Sequence, residues 1–315
     1  MRVYADNAAT TYMSDTAMNV MIDCMKNFNG NPNSLHTDGQ KTQEKLDEAR
    51  EIVAKCINAA KVNEIYFTSG GSEADNQALL SAARGLKDKG KKHLITLNIE
   101  HHAILHTMKK LEGEGFEVTY LAPEANGIVD LKKLEDAIRE DTALVSIMFA
   151  NNEMGAVQPI AEIGAICKEH KVLFHTDAVQ AAGHLPIDVQ AMNIDMLSMS
   201  GHKFHGPKGV GVLYARNGIK LVNVIEGGAQ ERGKRAGTIN VPSDMAFAVA
   251  LKEACDNMDE NMAKVRKLRD RLIDGLADIP HSKLNGDREK TLLIVCEEGI
   301  EEYDLSMFPN KKVLI

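Results

Sequence analysis

Residues 64–74 read Glu-Ile-Tyr-Phe-Thr-Ser-Gly-Gly-Ser-Glu-Ala and contain the unit that decides the fold of this chain. The apolar run 64–68 predicts a short buried β-strand that ends in a Ser-Gly-Gly turn. A helix is expected to begin at Ser72, because alanines follow at helical spacing, at Ala74 and Ala78. A strand that passes through a glycine turn into a helix is the building unit of α/β proteins.

The same unit recurs through the middle of the chain. Further strands are predicted at residues 93–97, 117–121, 143–149, 172–176, 196–199 and 210–214. Helices are predicted at residues 103–111, 131–138 and 160–170. This alternation predicts an α/β fold with a mostly parallel sheet flanked by helices. Such sheets bind ligands beyond the carboxyl ends of their strands, where functional side chains are therefore expected.

The pattern changes after Pro242. Residues 243–276 predict one long charged helix, and residues 291–295 predict one further strand. We therefore expect a large domain at residues 1–242, followed at 243–315 by a linker helix and an incomplete smaller α+β domain. Residues 1–20 are expected to pack on the smaller domain. The patternless tail at 297–315 suggests a chain truncated or altered at its C-terminal end.

Composition limits the classes of function. The chain has 315 residues, 44% of them hydrophobic, and a formal net charge of −8. An acidic balance argues against nucleic acid as a partner, since phosphate binding needs a basic surface. The sequence predicts neither a membrane span nor a signal peptide, so a cytoplasmic protein is expected. Its five cysteines are scattered, which favours reduced thiols over disulfides or a zinc site.

The segment 198–209, Ser-Met-Ser-Gly-His-Lys-Phe-His-Gly-Pro-Lys-Gly, places Lys203 in a loop directly after a predicted strand. A lysine in such a loop can form a Schiff base with an aldehyde, and Ser200 and His202 could bind an anion beside it. A lone loop lysine is more often merely solvated. Asp177 ends another apolar strand, where a buried carboxylate needs a cationic partner or serves only to cap a turn.

Other strand ends carry weaker signals. Gly70 and Gly71 precede a helix, whose free N–H groups could bind an anion. The neighbouring His101 and His102 could stack on a flat ring, and a metal is not expected because no partner ligands accompany them. Asn152 could hydrogen-bond a phenolic oxygen, although Asn and Gly also favour turns. Together these groups would converge at one edge of the sheet.

At this point the chain resembles the fold-type I, class V enzymes that depend on pyridoxal 5'-phosphate (PLP), and within them the cysteine desulfurases. The resemblance covers about residues 3–286. The matching stretches are residues 6–11, 31–34, 68–76, 100–101, 151–155, 175–180, 200–209 and 231–238.

The resemblance implies a role for each matched residue. Lys203 would hold the cofactor covalently, and Asp177 would pair with its ring nitrogen. His101 would stack on the ring and shuttle protons. The remaining implied contacts are Asn152 and Gln180 at the ring side, with Asn152 also near the substrate; Gly71, Ser72, Ser200, Gly201 and His202 at the phosphate; Thr238 at the phosphate of a partner subunit; and Arg235 shaping the substrate site.

The implied reaction removes sulfur from L-cysteine, giving alanine and an enzyme persulfide for iron–sulfur cluster assembly or another sulfur carrier. A homodimer and a sulfur-acceptor or scaffold protein are the implied partners. The sequence departs from the family after the last predicted strand, because no Ser/Gly-rich loop follows Cys296, which we interpret as a buried structural thiol. Alternatives are a class V aminotransferase, a selenocysteine lyase, or a PLP-binding remnant without turnover.

Overall fold

The computed structural model describes residue 4, residues 6–279 and residues 284–292. The predicted strand at 291–295 begins at Thr291, which bridges to Ala156 in antiparallel orientation. The remainder of that strand, Cys296 and the tail lie outside the described residues.

Seven strands form one sheet in the order β1-β7-β6-β5-β4-β2-β3. Their bounds are β1 Ile65–Thr68, β2 His93–Leu97, β3 Glu117–Leu121, β4 Thr142–Ser146, β5 Leu173–Asp177, β6 Met196–Ser200 and β7 Gly211–Ala215. Strand β7 runs antiparallel to both of its neighbours, and every other neighbouring pair is parallel. The prediction of a mostly parallel α/β sheet is confirmed.

Helices cover this sheet. Their bounds are α1 Asp15–Asn27, α2 Thr37–Cys56, α3 Gly71–Leu86, α4 His102–Gly113, α5 Leu131–Ala137, α6 Ile160–Glu169, the single turn α7 Gln230–Gly233, α8 Val241–Asp256 and α9 Met258–Ala277. The sequence patterns place α4 to α6 within two residues of these bounds and the start of α3 within one residue, and they missed α1 and α2.

The prediction of one long helix at residues 243–276 is wrong in one respect, because this stretch forms two helices. Asn257 separates α8 from α9 and does not have helical backbone angles. Its side-chain amide donates a hydrogen bond of 2.8 Å to the carbonyl of Glu253. Asparagine competes with the helical backbone for such bonds, which is why a charged, apolar-periodic stretch can still break at this residue.

Helix α8 belongs to the main hydrophobic core. It packs against α1 and α2, and its apolar residues join the cluster that includes Phe67 and Phe204. Phe247 contacts both of these rings edge to face, at centroid distances of 6.3 and 5.0 Å. Helix α8, the first part of the stretch after residue 242, is thus packed against the core of the sheet domain. The division into domains at residue 242 stays a prediction.

A buried ion pair ties the loop around α7 to the body of the fold. Both terminal nitrogens of Arg50 donate to the carboxylate of Glu231 at 2.8 Å, and Arg50 also donates to the carbonyl of Ile65. The side chains are only 6% and 2% exposed. Glu231 and Arg232 have positive φ angles of 46° and 57°, a costly conformation for residues with a Cβ. The ion pair therefore stabilises a strained loop.

Arg50→Ala should lower the free energy of unfolding by about 3–5 kcal/mol, because it leaves the buried carboxylate of Glu231 without a counter-charge. Arg84→Ala is a matched control, since Arg84 contacts Glu114 through two nitrogens, at 3.1 and 2.7 Å, on the surface. This exposed pair should contribute about 1 kcal/mol or less. Urea denaturation of both variants measures the difference, and equal losses would contradict the assignment.

Candidate active site

The predicted site residues meet at one edge of the sheet. Strands β1, β2, β4, β5 and β6 all run in the same direction, so their carboxyl ends share that edge. Each of these strands is followed by one of the segments singled out in the sequence, whereas none follows β3, which lies at the border of the sheet.

Lys203 lies in a tight turn, Gly201–Lys203, that directly follows β6. Its ammonium group is partly buried and donates a hydrogen bond to the carbonyl of Ala8. The same carbonyl accepts a second bond, of 3.1 Å, from the amide of Gln180. Burial lowers the pKa of Lys203, while the carboxylates of Asp177 and Asp6 act in the opposite direction. The N-terminal segment therefore positions the lysine amine.

That segment is anchored on the turn by further hydrogen bonds. The backbone N–H and the hydroxyl of Thr11 both donate to the carbonyl of His202, at 2.9 and 2.8 Å. The imidazole Nδ1 of His202 lies 3.1 Å from the hydroxyl of Thr10. Burial is the main cause that lowers the pKa of His202, and Lys203 and Lys208 add to the effect. An imidazole in this position is largely neutral at pH 7.

Asp177 is the last residue of β5 and is 6% exposed. Its carboxylate accepts a 2.9 Å hydrogen bond from the backbone N–H of Val179. Burial raises the pKa of Asp177, and this N–H, His101 and Lys203 partly offset the effect. A carboxylate buried at a strand end is costly without a cation, so the site is suited to a positively charged ligand atom.

A polar network that the sequence analysis did not identify lies next to Asp177. The ring nitrogens of His175 are 2.9 Å from the hydroxyl of Ser146 and 3.0 Å from that of Ser198. Asp75 of α3 is 3.7 Å from His175 and also hydrogen-bonds Ser198. Burial lowers the pKa of His175 to about 3, so its ring is neutral, and burial raises the pKa of Asp75 well above its ordinary value, with Asp177 adding to the rise.

Polar residues at predicted core positions are the sequence signal that could have indicated this network. His175 and Asp177 occupy alternate positions of one strand and so face the same side of the sheet. Asp75 is the charged member of the buried face of α3, which also contains the polar residues Gln77 and Ser81. Polar residues at core positions of two neighbouring elements indicate a buried contact, but the sequence does not show that these two elements are neighbours.

The glycine turn before α3 makes a close approach possible. A Cβ on Gly71 would lie 2.6 Å from the side chain of Val179 and 3.5 Å from Ser200. A Cβ on Gly211 would lie 2.5 Å from the backbone of Gly70. The start of α3 therefore lies against the loop after β5 and the last residue of β6, as an anion-binding site at a helix N-terminus requires.

His101 and Asn152 follow β2 and β4. His101 is exposed and caps α4, since its Nδ1 accepts a 3.1 Å bond from the N–H of Ala103. The neighbouring Asn151, absent from the predicted set, shapes the second loop by donating to the carbonyl of Ile99 at 2.9 Å and accepting from two backbone N–H groups. This arrangement leaves the partly buried Asn152 at the edge of the site.

The loop at residues 229–238 borders the glycine turn. Arg235 forms two hydrogen bonds, of 2.9 and 3.3 Å, with Glu73 of α3. Together with Thr68 and the exposed Thr238, Arg235 lines a cavity of about 60 Å³. Ser72 is exposed beside this loop. Arg235 is thus engaged within the chain, while Thr238 faces solvent.

These groups suit a cofactor with an aldehyde, a cationic ring and a phosphate. Lys203 supplies the amine, Asp177 supplies a buried carboxylate for the ring, and the turn at Gly71 and Ser200 supplies the anion site. Within the described part of the chain, no group of three or more His, Cys, Asp or Glu side chains could hold a metal ion. The described helices also include none that is long and apolar enough to cross a membrane.

Comparison with known proteins identifies the family. Residues 3–314 match the family model for aminotransferase class V. The chain belongs to the class V aminotransferases. Enzymes of this family depend on PLP, in agreement with the amine, carboxylate and anion site described above.

Named relatives of this class V chain are cysteine desulfurases. It is 53% identical over 289 residues to cysteine desulfurase IscS of Clostridium botulinum (strain Hall), covering 91% of this chain and 72% of that protein. It is 50% identical over 313 residues to cysteine desulfurase IscS of Methanosarcina thermophila, covering 98% and 77%.

Solved structures share the fold. A NifS-like protein superposes with a TM-score of 0.89 at 41% identity, covering 93% of this chain and 80% of the other. SspA in complex with cysteine superposes with a TM-score of 0.77 at 41% identity, covering 84% and 78%. The fold-type I architecture expected from the resemblance is confirmed.

Asp75→Asn should stabilise the fold increasingly as the pH rises. The raised pKa means that the folded chain holds the Asp75 proton more tightly than the unfolded chain, so ionisation at higher pH costs stability. Asparagine cannot ionise, and the difference should grow by about 1.4 kcal/mol per pH unit until the raised pKa is passed. Urea denaturation of the full chain between pH 4 and 8 measures this difference in unfolding free energy between the variant and wild type.

Asp136→Asn is the control, because Asp136 is exposed and forms an ion pair with Lys132 on the surface. Its effect should stay within about 0.5 kcal/mol at every pH. A difference between wild type and Asp75→Asn that does not change with pH would show that the carboxyl group is not buried in this way.

Proposed function

We propose that this chain is a PLP-dependent cysteine desulfurase that removes sulfur from L-cysteine and forms L-alanine. The observation that carries the proposal is that a partly buried lysine amine, Lys203, and a buried carboxylate, Asp177, interact electrostatically at the carboxyl edge of the sheet. The 53% and 50% identities to proteins named cysteine desulfurase support this reaction over others of the family.

The cofactor would be held by groups from three strand ends. Asp177 would accept a hydrogen bond from the ring nitrogen, and Gln180 would lie at the ring side. Gly71, Ser72, Ser200, Gly201 and His202 would bind the phosphate, through the start of α3 and the turn after β6. The bound cofactor supplies an electron sink that stabilises negative charge at the substrate's α-carbon.

Lys203 would move the substrate's α-proton. Burial lowers its pKa and so makes the neutral amine, which can accept a proton, easier to reach at neutral pH. The carbonyl of Ala8 orients the amine, and Gln180 holds that carbonyl in place. His101, at the start of α4, would cover the ring and exchange protons with the substrate.

The substrate would be oriented by the loops after β4 and before α8. Asn152 would reach the substrate side of the ring, since Asn151 fixes its loop. Arg235 would shape the site through its two bonds to Glu73. The exposed Thr238 would reach the phosphate bound by a partner subunit, so we propose a homodimer.

The sulfur leaves the substrate as a transfer between thiols. A thiolate bonds to the sulfur of cysteine, the carbon–sulfur bond breaks, and the products are a persulfide and alanine, with no net oxidant. Cys296, interpreted from the sequence as a structural thiol, lies outside the described residues. We propose that the persulfide is passed to an acceptor or scaffold protein of iron–sulfur cluster assembly in the cytoplasm, where free thiols such as those of this chain persist.

Lys203→Ala should abolish both the absorbance band of the bound cofactor and the release of alanine from L-cysteine, because the variant lacks the amine. Lys208→Ala is the matched control, since Lys208 is an exposed lysine of the same loop. The visible spectrum and the cysteine-dependent formation of alanine and sulfide, with dithiothreitol present, measure the two effects.

The control should keep its band and its turnover within about twofold of wild type. A wild-type band without alanine formation would refute the desulfurase proposal and retain the cofactor site. Formation of alanine from selenocysteine alone would favour a selenocysteine lyase, and amino-group transfer to an oxoacid would favour an aminotransferase.

A further inference from the structure

Two cysteines that are far apart in the sequence meet in the fold. Cys56 is the last residue of α2, and Cys255 lies one residue before the end of α8, at the ends of two helices packed against each other. Their thiols hydrogen-bond each other, and this contact is the largest cause of the raised pKa of Cys56 and of the lowered pKa of Cys255. Both are free thiols.

This pair differs from the other described cysteines in exposure. Cys24 and Cys167 are each only 1% exposed, whereas Cys56 and Cys255 are partly exposed. Two adjacent thiols that a small molecule can reach can be joined with little movement of the backbone, provided that their helices are held together. Here α2 and α8 share the main hydrophobic core.

We propose that Cys56 and Cys255 form a thiol–disulfide exchange site that reacts with low-molecular-weight disulfides and closes into a disulfide between α2 and α8. The thiolate of Cys255 attacks one sulfur of the small disulfide, forms a mixed disulfide and releases one small thiolate. The thiolate of Cys56 then attacks the sulfur of Cys255 and releases the second. The protein thiols are oxidised, the small disulfide is reduced, and the two protons pass to the released thiolates.

Local charges act on this exchange in opposite directions. Lys252, one turn before Cys255, places a cation near both sulfurs, and it is paired with Asp256. Asp256 and the C-terminal ends of the two helices carry negative charge that disfavours a thiolate. The lowered pKa of Cys255 favours this residue as the sulfur that attacks first.

The disulfide would cross-link α8, the helix that also binds the N-terminal segment. Glu253, two residues before Cys255, accepts hydrogen bonds from Ser14 at 2.7 Å and Thr16 at 2.8 Å. A cross-link that closes so long a loop constrains the unfolded chain strongly. Oxidation should therefore raise the Tm, by about 5–10 °C for a chain of this size.

The test uses the reduced full chain, incubated with oxidised glutathione and digested with trypsin without reduction. Mass spectrometry should find the peptide of residues 56–61 linked to that of residues 253–264, and dithiothreitol should separate the peptides and reverse the Tm shift. Cys296→Ser is the control that keeps both thiols and should keep the cross-link.

Two variants test the order of the steps without depending on the cross-link. The reaction of Cys56→Ser with oxidised glutathione should stop at a stable adduct on Cys255. The remaining thiol of the pair in Cys255→Ser, Cys56, should react with oxidised glutathione more slowly, by about tenfold or more. Wild-type peptides 56–61 and 253–264 that remain unlinked, or that carry separate glutathione adducts at equilibrium, would overturn the proposal. Equal rates in the two variants would overturn the assigned order.

Discussion

The buried carboxylate of Asp177 is the constraint on which the arrangement of the site depends. A carboxylate that is 6% exposed at the end of β5 is stable only with hydrogen bonds and a nearby cation. The backbone of Val179 provides one bond, and Lys203 and His101, at two other strand ends, act to lower the pKa that burial raises. The site can therefore form only when the carboxyl ends of β2, β5 and β6 share one edge.

The surroundings of Asp177 keep further charge away from it. His175 is neutral because burial lowers its pKa to about 3, and the raised pKa of Asp75 favours its protonated form. The serines on β4 and β6 hold the imidazole between them, in positions that the parallel register provides. The sheet thus supports the loops of the site and also positions the ionisable side chain of His175, next to Asp177.

Two structural features bring the loops close enough to act together. Gly71 and Gly211 allow close approaches that a Cβ would prevent. The N-terminal segment lies across the turn after β6, and the carbonyl of Ala8 accepts hydrogen bonds from Lys203 and Gln180. The Arg50–Glu231 pair then fixes the strained loop that carries Arg235 and Thr238.

The sequence by itself determined the strands, most of the helices that follow them and the loops that carry Lys203, Asp177 and Gly71, because strand alternation, helical spacing and turn residues are local properties of the chain. It did not predict the break at Asn257, where one side chain competes with the helix backbone. Only the tertiary structure decided that Asp75 meets His175, that Arg50 meets Glu231 and that Cys56 meets Cys255. These partners are distant in sequence, and the packing of helices on the sheet selects them.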